Sequence, residues 1–170
     1  ADVGVGCVIE RPLGVLRAGE FATASPRVGG LVIGGADLAE TLGVRQSAQR
    51  TGLLHALSHC VLVAPAHGLA IIDAVHPNYA NTDGFSESCA QGAELGFDGK
   101  SVVLPVTIAL ANAAFGPTED QIVHARGLVA AADGTSDGYA SLHLGHARRA
   151  EDRAEQSARL AAATGTPPVA

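Results

Sequence analysis

The chain has 170 residues, 47% of them hydrophobic by type, and a formal charge of −6. That length supports one domain with a core of its own, the negative balance argues against a nucleic-acid surface, which needs a basic stripe, and no apolar run reaches the roughly 18–20 residues of a membrane span. No basic segment leads into an apolar one as in a signal peptide, and Cys7, Cys60 and Cys89 are too scattered for a zinc motif or a disulfide framework, so reduced thiols in a cytoplasmic protein are expected.

Residues 3–9 and 30–33 are short, continuously apolar runs rich in β-branched side chains, which suits strands buried on both faces. Residues 14–25 between them read as a helix, stopped by Ser25-Pro26-Arg27 because proline disfavours helix in the residue before it. Strand, helix, strand makes the two strands parallel neighbours. Their carboxyl ends then share the edge where α/β proteins bind ligands, and Glu10 and Asp37 emerge there side by side. Two hard oxygen donors converging on one point make half of a Mg²⁺ site, with water and substrate oxygens filling the rest. The plainer alternative is that each acid only caps the helix that follows it.

After Asp37, residues 38–42 read as a helical turn closed by Gly43, and 44–51 as a polar surface excursion. Residues 53–65 form a buried helix carrying His55 and His59 at i, i+4. Without a third ligand that spacing is weak, and surface or packing histidines are the simpler reading. Residues 70–74 give a third strand ending at Asp73, followed by a turn-rich stretch. His76 lies in that loop at the same edge, either touching ligand or facing solvent. Asp83 reads as a carboxylate at the start of a helix over 85–95. Residues 96–100 turn into a fourth strand at 101–104, and Lys100, at its beginning, is placed on the opposite side of the sheet as a structural residue. Residues 117–132 form a helix with Thr118 as cap and Glu119 and Asp120 in its first turn. A linker and charged helix over 133–163 follow, with a disordered tail at 164–170.

Three blocks, in this order, carry a family resemblance. IERPLGVLRAGEFATASPRVGGLVIGGADLAETLG follows a pattern of roughly I-E-T-x-x-G-V, a helix, S-P-R, a strand and G-x-x-D-L. AIIDAV with Asn81-Thr82-Asp83-Gly84 follows x-I-D-x-V and a D-x-E/D-G segment. ELGFDGKSVVLPVTIALANAAFGPT follows L-G-F-D-G-K-x-x-I-H-P-x-Q-I-x-x-x-N-x-x-F-x-P-T, with Leu104 and Thr107 where the pattern has His and Gln. The chain thus resembles the HpcH/HpaI aldolase and citrate lyase β-subunit (CitE-like) superfamily.

The resemblance implies an α/β fold of the TIM (β/α)₈-barrel type, with only the last four βα units plus a C-terminal helical extension present, since a whole barrel needs about 250 residues. It implies Glu10 and Asp37 as Mg²⁺ ligands, and the backbone N–H groups of Gly35, Ala36 and Asp37, at a helix N-terminus, suit a substrate carboxylate. It aligns His143 with an aspartate that reaches an active site, where imidazole would still move a proton or would mark lost function. The activity implied is a Mg²⁺-dependent carbon–carbon lyase acting on a 3-hydroxy-acyl-CoA such as malyl- or citramalyl-CoA, giving an acyl-CoA and a 2-oxo acid, in a cytoplasmic homo-oligomer, a trimer by family. The family's substrate-binding arginine lies in the front half, outside these residues. A fragment, a degenerate assembly module, a self-associating half-barrel and an HpaI-type aldolase on free hydroxy-oxo acids are the alternatives.

Overall fold

Uncharged runs of valine, isoleucine and leucine favour strands covered by other elements. The computed structural model describes residues 3–132 together with Asp152, Glu155 and Arg159, and it forms strands at three such runs. They are β1 (Val5–Ile9), β2 (Val28–Ile33) and β3 (Ala70–Asp73). A fourth strand, β4, is only Gly99–Lys100. The sheet order is β1-β2-β3-β4, and every neighbouring pair is parallel. Ile9 pairs with Ile33, Leu31 with Ile71 and Asp73 with Lys100, so the carboxyl ends share one rim.

Helices fill the crossovers. They are α1 (Pro12–Leu16), α2 (Ala18–Thr23), α3 (Gly35–Leu42), α4 (Leu54–Ala66) and α5 (Thr82–Leu95); α6 (Ile108–Phe115) and α7 (Glu119–Ala132) follow β4. A small parallel sheet with helices in its connections is part of a (β/α) barrel. The helix expected over 14–25 is split at Arg17 and starts at Pro12, whose fixed φ suits the first helical position. Gly43, at φ 64, closes α3, and Asn81 caps α5 by accepting a bond from Gly84 N–H at 3.0 Å. Asp83 does stand in the first turn of α5. Thr118 and Gln121 cap the start of α7 reciprocally, side chain to backbone, at 3.2 and 2.9 Å.

The strand expected at 101–104 is not one. The Ser101 N–H still donates to the Asp73 carbonyl at 2.9 Å. The chain then leaves the sheet, because Pro105, without an N–H, opens a 3₁₀ turn at Pro105–Thr107.

Side chains alternate across the strands. Ile9, Leu31, Ile33 and Ile71 are buried and face the helices, where Leu38, Leu57 and Cys60 complete the core. Each such side chain, fully buried, contributes about 1.5–3 kcal/mol. The other face carries Gly6, Val8, Val32, Ala70 and Ile72, none of them buried, and Val8 is 55% exposed. His55 and His59 stack with ring centroids 6.5 Å apart, and among the described residues no group of three His, Cys, Asp or Glu side chains is placed to hold a metal. No helix among them is long and apolar enough to cross a membrane.

The chain divides into two compact units, Ala1–Phe115 and Gly116–Ala170. The first holds the sheet. Of the expected charged helix, Asp152, Glu155 and Arg159 are helical, and Arg159 donates to Glu155 at 3.2 Å. The expected linker at 133–138, the tail at 164–170 and His143 lie outside the described residues.

Candidate functional site

The rim is built by close backbone approach. The Gly34 N–H donates to the Ile9 carbonyl at 3.0 Å, which sets the end of β2 against Glu10. A methyl group at Gly34 would collide with the Glu10 Cβ and lie 3.1 Å from its Oε2, so glycine is what gives Glu10 its seat. A methyl at Gly35 would lie 2.7 Å from the Ala74 Cβ, so the start of α3 rests directly on the end of β3. The residues after β1, β2 and β3 therefore form one packed ledge.

Asp37 stands in the first turn of α3, beside the amides of Gly35 and Ala36. The opening amides of a helix have no intrahelical acceptor, and a carboxylate there gains about 0.3–1 kcal/mol from the helix dipole. The capping alternative does not hold. Gly34 is the N-cap of α3 and Arg11 that of α1, neither with a side-chain cap bond. Among the described residues neither the Glu10 nor the Asp37 carboxylate takes part in a hydrogen bond or ion pair. Asp37 is exposed and Glu10 half-buried. Arg11 donates to Thr41 Oγ1 at 2.9 Å, and that hydroxyl to the Asp37 carbonyl at 2.8 Å, tying the loop after β1 to α3. A cleft of about 540 Å³ beside β1 is lined by Glu10, with Val8, Arg11, Leu13, Arg17 and Phe21, but not by Asp37. Two partner-free carboxylates suit a hard cation that keeps several water or substrate ligands, as Mg²⁺ does.

On the helix-covered face lies a cluster that sequence reasoning missed. Asp73, fully buried at the end of β3, accepts from Arg50 Nη1 at 2.6 Å, from the Ala74 N–H at 2.8 Å and from Lys100 Nζ at 2.8 Å. Lys100 is thus not on the opposite side of the sheet. Because β4 ends at Lys100 rather than starting after it, the residue sits at the carboxyl rim, its ammonium fully enclosed. Burial pushes the Lys100 ammonium below its ordinary value of 10.5, and the Asp73 charge opposes that shift. Residues 45–49 and 51 are exposed, as a surface excursion should be, but the Arg50 side chain turns inward. Its Nε donates to Gln91 Oε1 at 2.7 Å, its side chain is 13% exposed, and its buried Nη2 has no partner among the described residues.

His76 packs edge-on against Phe85, with Nε2 buried and without a partner among the described residues. Burial first, then the Lys100 and Arg50 charges, lower its pKa from 6.5, so the ring is neutral at pH 7. At the positions where the family pattern has His and Gln, Leu104 is 38% exposed and Thr107 is buried, its hydroxyl spent on the Leu104 carbonyl at 2.7 Å.

A partial (β/α) barrel with paired acids on its carboxyl rim defines a class of ligand-binding α/β protein. Comparison with known proteins narrows it. The HpcH/HpaI aldolase/citrate lyase family model matches residues 1–105. A (3S)-malyl-CoA thioesterase of Cereibacter sphaeroides is 38% identical over 130 residues, covering 76% of this chain and 45% of the relative. Citrate lyase subunit beta of Escherichia coli is 36% identical over 132 residues, 78% and 44% of the two chains. Among solved structures, protein CitE from Mycobacterium tuberculosis, in complex with magnesium, acetoacetate and coenzyme A, superposes with a TM-score of 0.68 at 28% identity, covering 89% of this chain and 61% of that one. The chain belongs to the HpcH/HpaI aldolase/citrate lyase family. It spans a little under half the length of the curated relatives it matches.

Proposed function

We propose that this chain supplies the metal-holding rim of a Mg²⁺-dependent carbon–carbon lyase of the CitE type. Its substrate is a 3-hydroxy-acyl-CoA such as malyl- or citramalyl-CoA, cleaved to an acyl-CoA and a 2-oxo acid, and the reverse condensation uses the same site. The observation that carries the reading is that Glu10, seated against Gly34, and Asp37, three residues after that glycine, both stand partner-free among the described residues at the carboxyl ends of β1 and β2. Magnesium, acetoacetate and coenzyme A in the solved CitE relative support the same chemistry.

In this reading Glu10 and Asp37 hold Mg²⁺, which when bound supplies Lewis-acid stabilisation of negative charge on the oxo-acid oxygen. The N–H groups of Gly35, Ala36 and Asp37 bind the oxo-acid carboxylate at the start of α3. Cleavage breaks the bond between the carbinol carbon and the carbon beside the thioester carbonyl. The hydroxyl gives up its proton and becomes the keto group, and the acyl-CoA carbon takes up a proton. His143 is the proton-transfer group that this chain offers, while Leu104 and Thr107 carry no side chain that titrates near neutral pH. A cytoplasmic homo-oligomer, a trimer as in the family, completes the proposal.

The sheet's uncovered apolar face and the two missing polar side chains favour a second reading, a catalytically silent assembly module that keeps the fold. Calorimetric titration of Mg²⁺ into the parent chain and Glu10→Ala, followed by cleavage assays with malyl- and citramalyl-CoA, separates the two. Binding that Glu10→Ala leaves unchanged removes the metal pair, and binding without turnover selects the assembly module.

A further inference from the structure

Asp73 is already neutralised by the fully enclosed Lys100 ammonium at 2.8 Å. A second cation on the same carboxylate has no electrostatic need to be there, yet Arg50 reaches in to 2.6 Å. Three unfavourable features meet in this one residue. It adds a mostly buried positive charge in excess of the available negative charge. It leaves Nη2 buried without an acceptor among the described residues. Its backbone lies in the left-handed region at φ 51, the only non-glycine there among the described residues. Local violations of this kind persist where the surrounding structure requires them.

What Arg50 holds is the connection between α3 and α4. Its Nε binds Gln91 on α5, and the Gln91 amide returns a bond to the Gln49 carbonyl at 2.7 Å, so the chain at 49–50 is fixed to both β3 and α5. The Leu53 N–H donates to the Arg50 carbonyl at 2.8 Å. Leu53 is buried in the same core as Leu38 and Ala39 of α3. A Cβ on Gly52 would lie 2.9 Å from that of Val44, whose N–H in turn donates to the Ala39 carbonyl at 3.1 Å. An unbroken set of contacts thus runs from Arg50, through residues 52–53 and 44, to the back of the helix whose first turn bears Asp37.

We infer that Arg50 is a positioning residue for Asp37: anchored on Asp73 and Gln91, it clamps the 44–53 connection behind α3 and so fixes where that helix presents its carboxylate. The inference rests on the metal-pair reading for its purpose, but not for its geometry. Arg50→Gln leaves Asp73 and Lys100 as a complete neutral pair, so the sheet survives and the effect stays local.

Two readouts test it. Hydrogen exchange over Gly35–Leu42 is expected to quicken in Arg50→Gln, while the β1 and β2 amides keep their protection. Mn²⁺ titration is expected to show about tenfold weaker binding, the low end of what losing an outer-shell support costs. Unchanged exchange across α3 overturns the clamp, whatever the metal does. Quickened exchange with Mn²⁺ affinity equal to the parent's overturns its role in placing Asp37. A parent chain that binds no Mn²⁺ removes the metal-pair reading, and with it the purpose assigned to Arg50, while the exchange result still decides the clamp. Should Arg50→Gln fail to fold, Gln91→Leu cuts one anchor, keeps the Asp73 pair and carries the same two expectations.

Discussion

Replacing Asp73 by alanine exposes the energetics of the buried cluster. The side chain is fully enclosed and accepts three bonds, two of them from cations. Its loss leaves the Lys100 ammonium, itself 0% exposed, and a guanidinium 13% exposed facing each other without a counter-charge. Breaking a buried ion pair from one side costs about 3–5 kcal/mol, a large part of the roughly 5–15 kcal/mol by which domains are stable. Lys100→Met differs in kind. Arg50 still neutralises Asp73, methionine fills the stem's volume, and the lost charged hydrogen bond, about 1.5–3 kcal/mol, is offset by no longer burying an ammonium. The expected order of damage is Asp73→Ala well above Lys100→Met.

The chain has no Trp, so urea unfolding is best followed by far-UV circular dichroism, reading the midpoint at unchanged slope. The pH dependence adds a signature. With Asp73 gone, the main opposition to the burial that holds Lys100 below 10.5 is lost. The folded state then binds fewer protons than the unfolded one in the window beneath 10.5, so the variant recovers stability relative to the parent as pH rises into it. Asp73→Ala within about 1 kcal/mol of the parent, or Lys100→Met as harmful as Asp73→Ala, refutes the reasoning from burial.

Burial pushes the Cys60 thiol from 9.0 up to about 11. The folded state then holds a proton that the unfolded state sheds, so stability is lost as pH climbs from 9 to about 11, by at most about 3 kcal/mol. Cys60→Ala is expected to flatten the alkaline fall of the urea midpoint, and an equally steep fall in that variant would contradict it. The lowered pKa of His76 works at the other end. Its neutral form supports the fold above 6.5, and that support is lost as pH falls through the folded value. An NMR titration should place its ring below 6.5, and a midpoint at or above 6.5 would show that neither burial nor the Lys100 and Arg50 charges act on it as described.

Three strands were legible because β-branched residues ran together without charge, and the βα spacing alone brought Glu10 and Asp37 to one rim. The fourth strand was misplaced for an instructive reason. Ser101–Leu104 looks more like a strand than Gly99–Lys100 does, but pairing to β3 is set by a neighbour 27 residues away, and Pro105 bends the apolar run out of the sheet. Lys100 was read as lying on the opposite side because 101–104 looked like the strand it begins, and Arg50 was read with the polar stretch 44–51 as surface. Only the distant carboxylate of Asp73 makes an inward position affordable, and no local pattern announces it. Gly92 was the signal available in hindsight: a Cβ there would lie 2.8 Å from Asp73 Oδ2, so α5 needs a glycine where it crosses the cluster.

Because strand residues alternate, Glu10 and the ion cluster occupy opposite sides of one thin layer. Glu10 follows Ile9 onto the uncovered side, while Asp73 and Lys100 lie beneath α5. Substitutions on the uncovered side, from Val8 to Glu10, therefore leave the ion pairs beneath α5 untouched. A lineage built on this sheet can drift along that side without first surrendering the pins that keep it assembled, and a protein engineer can do the same.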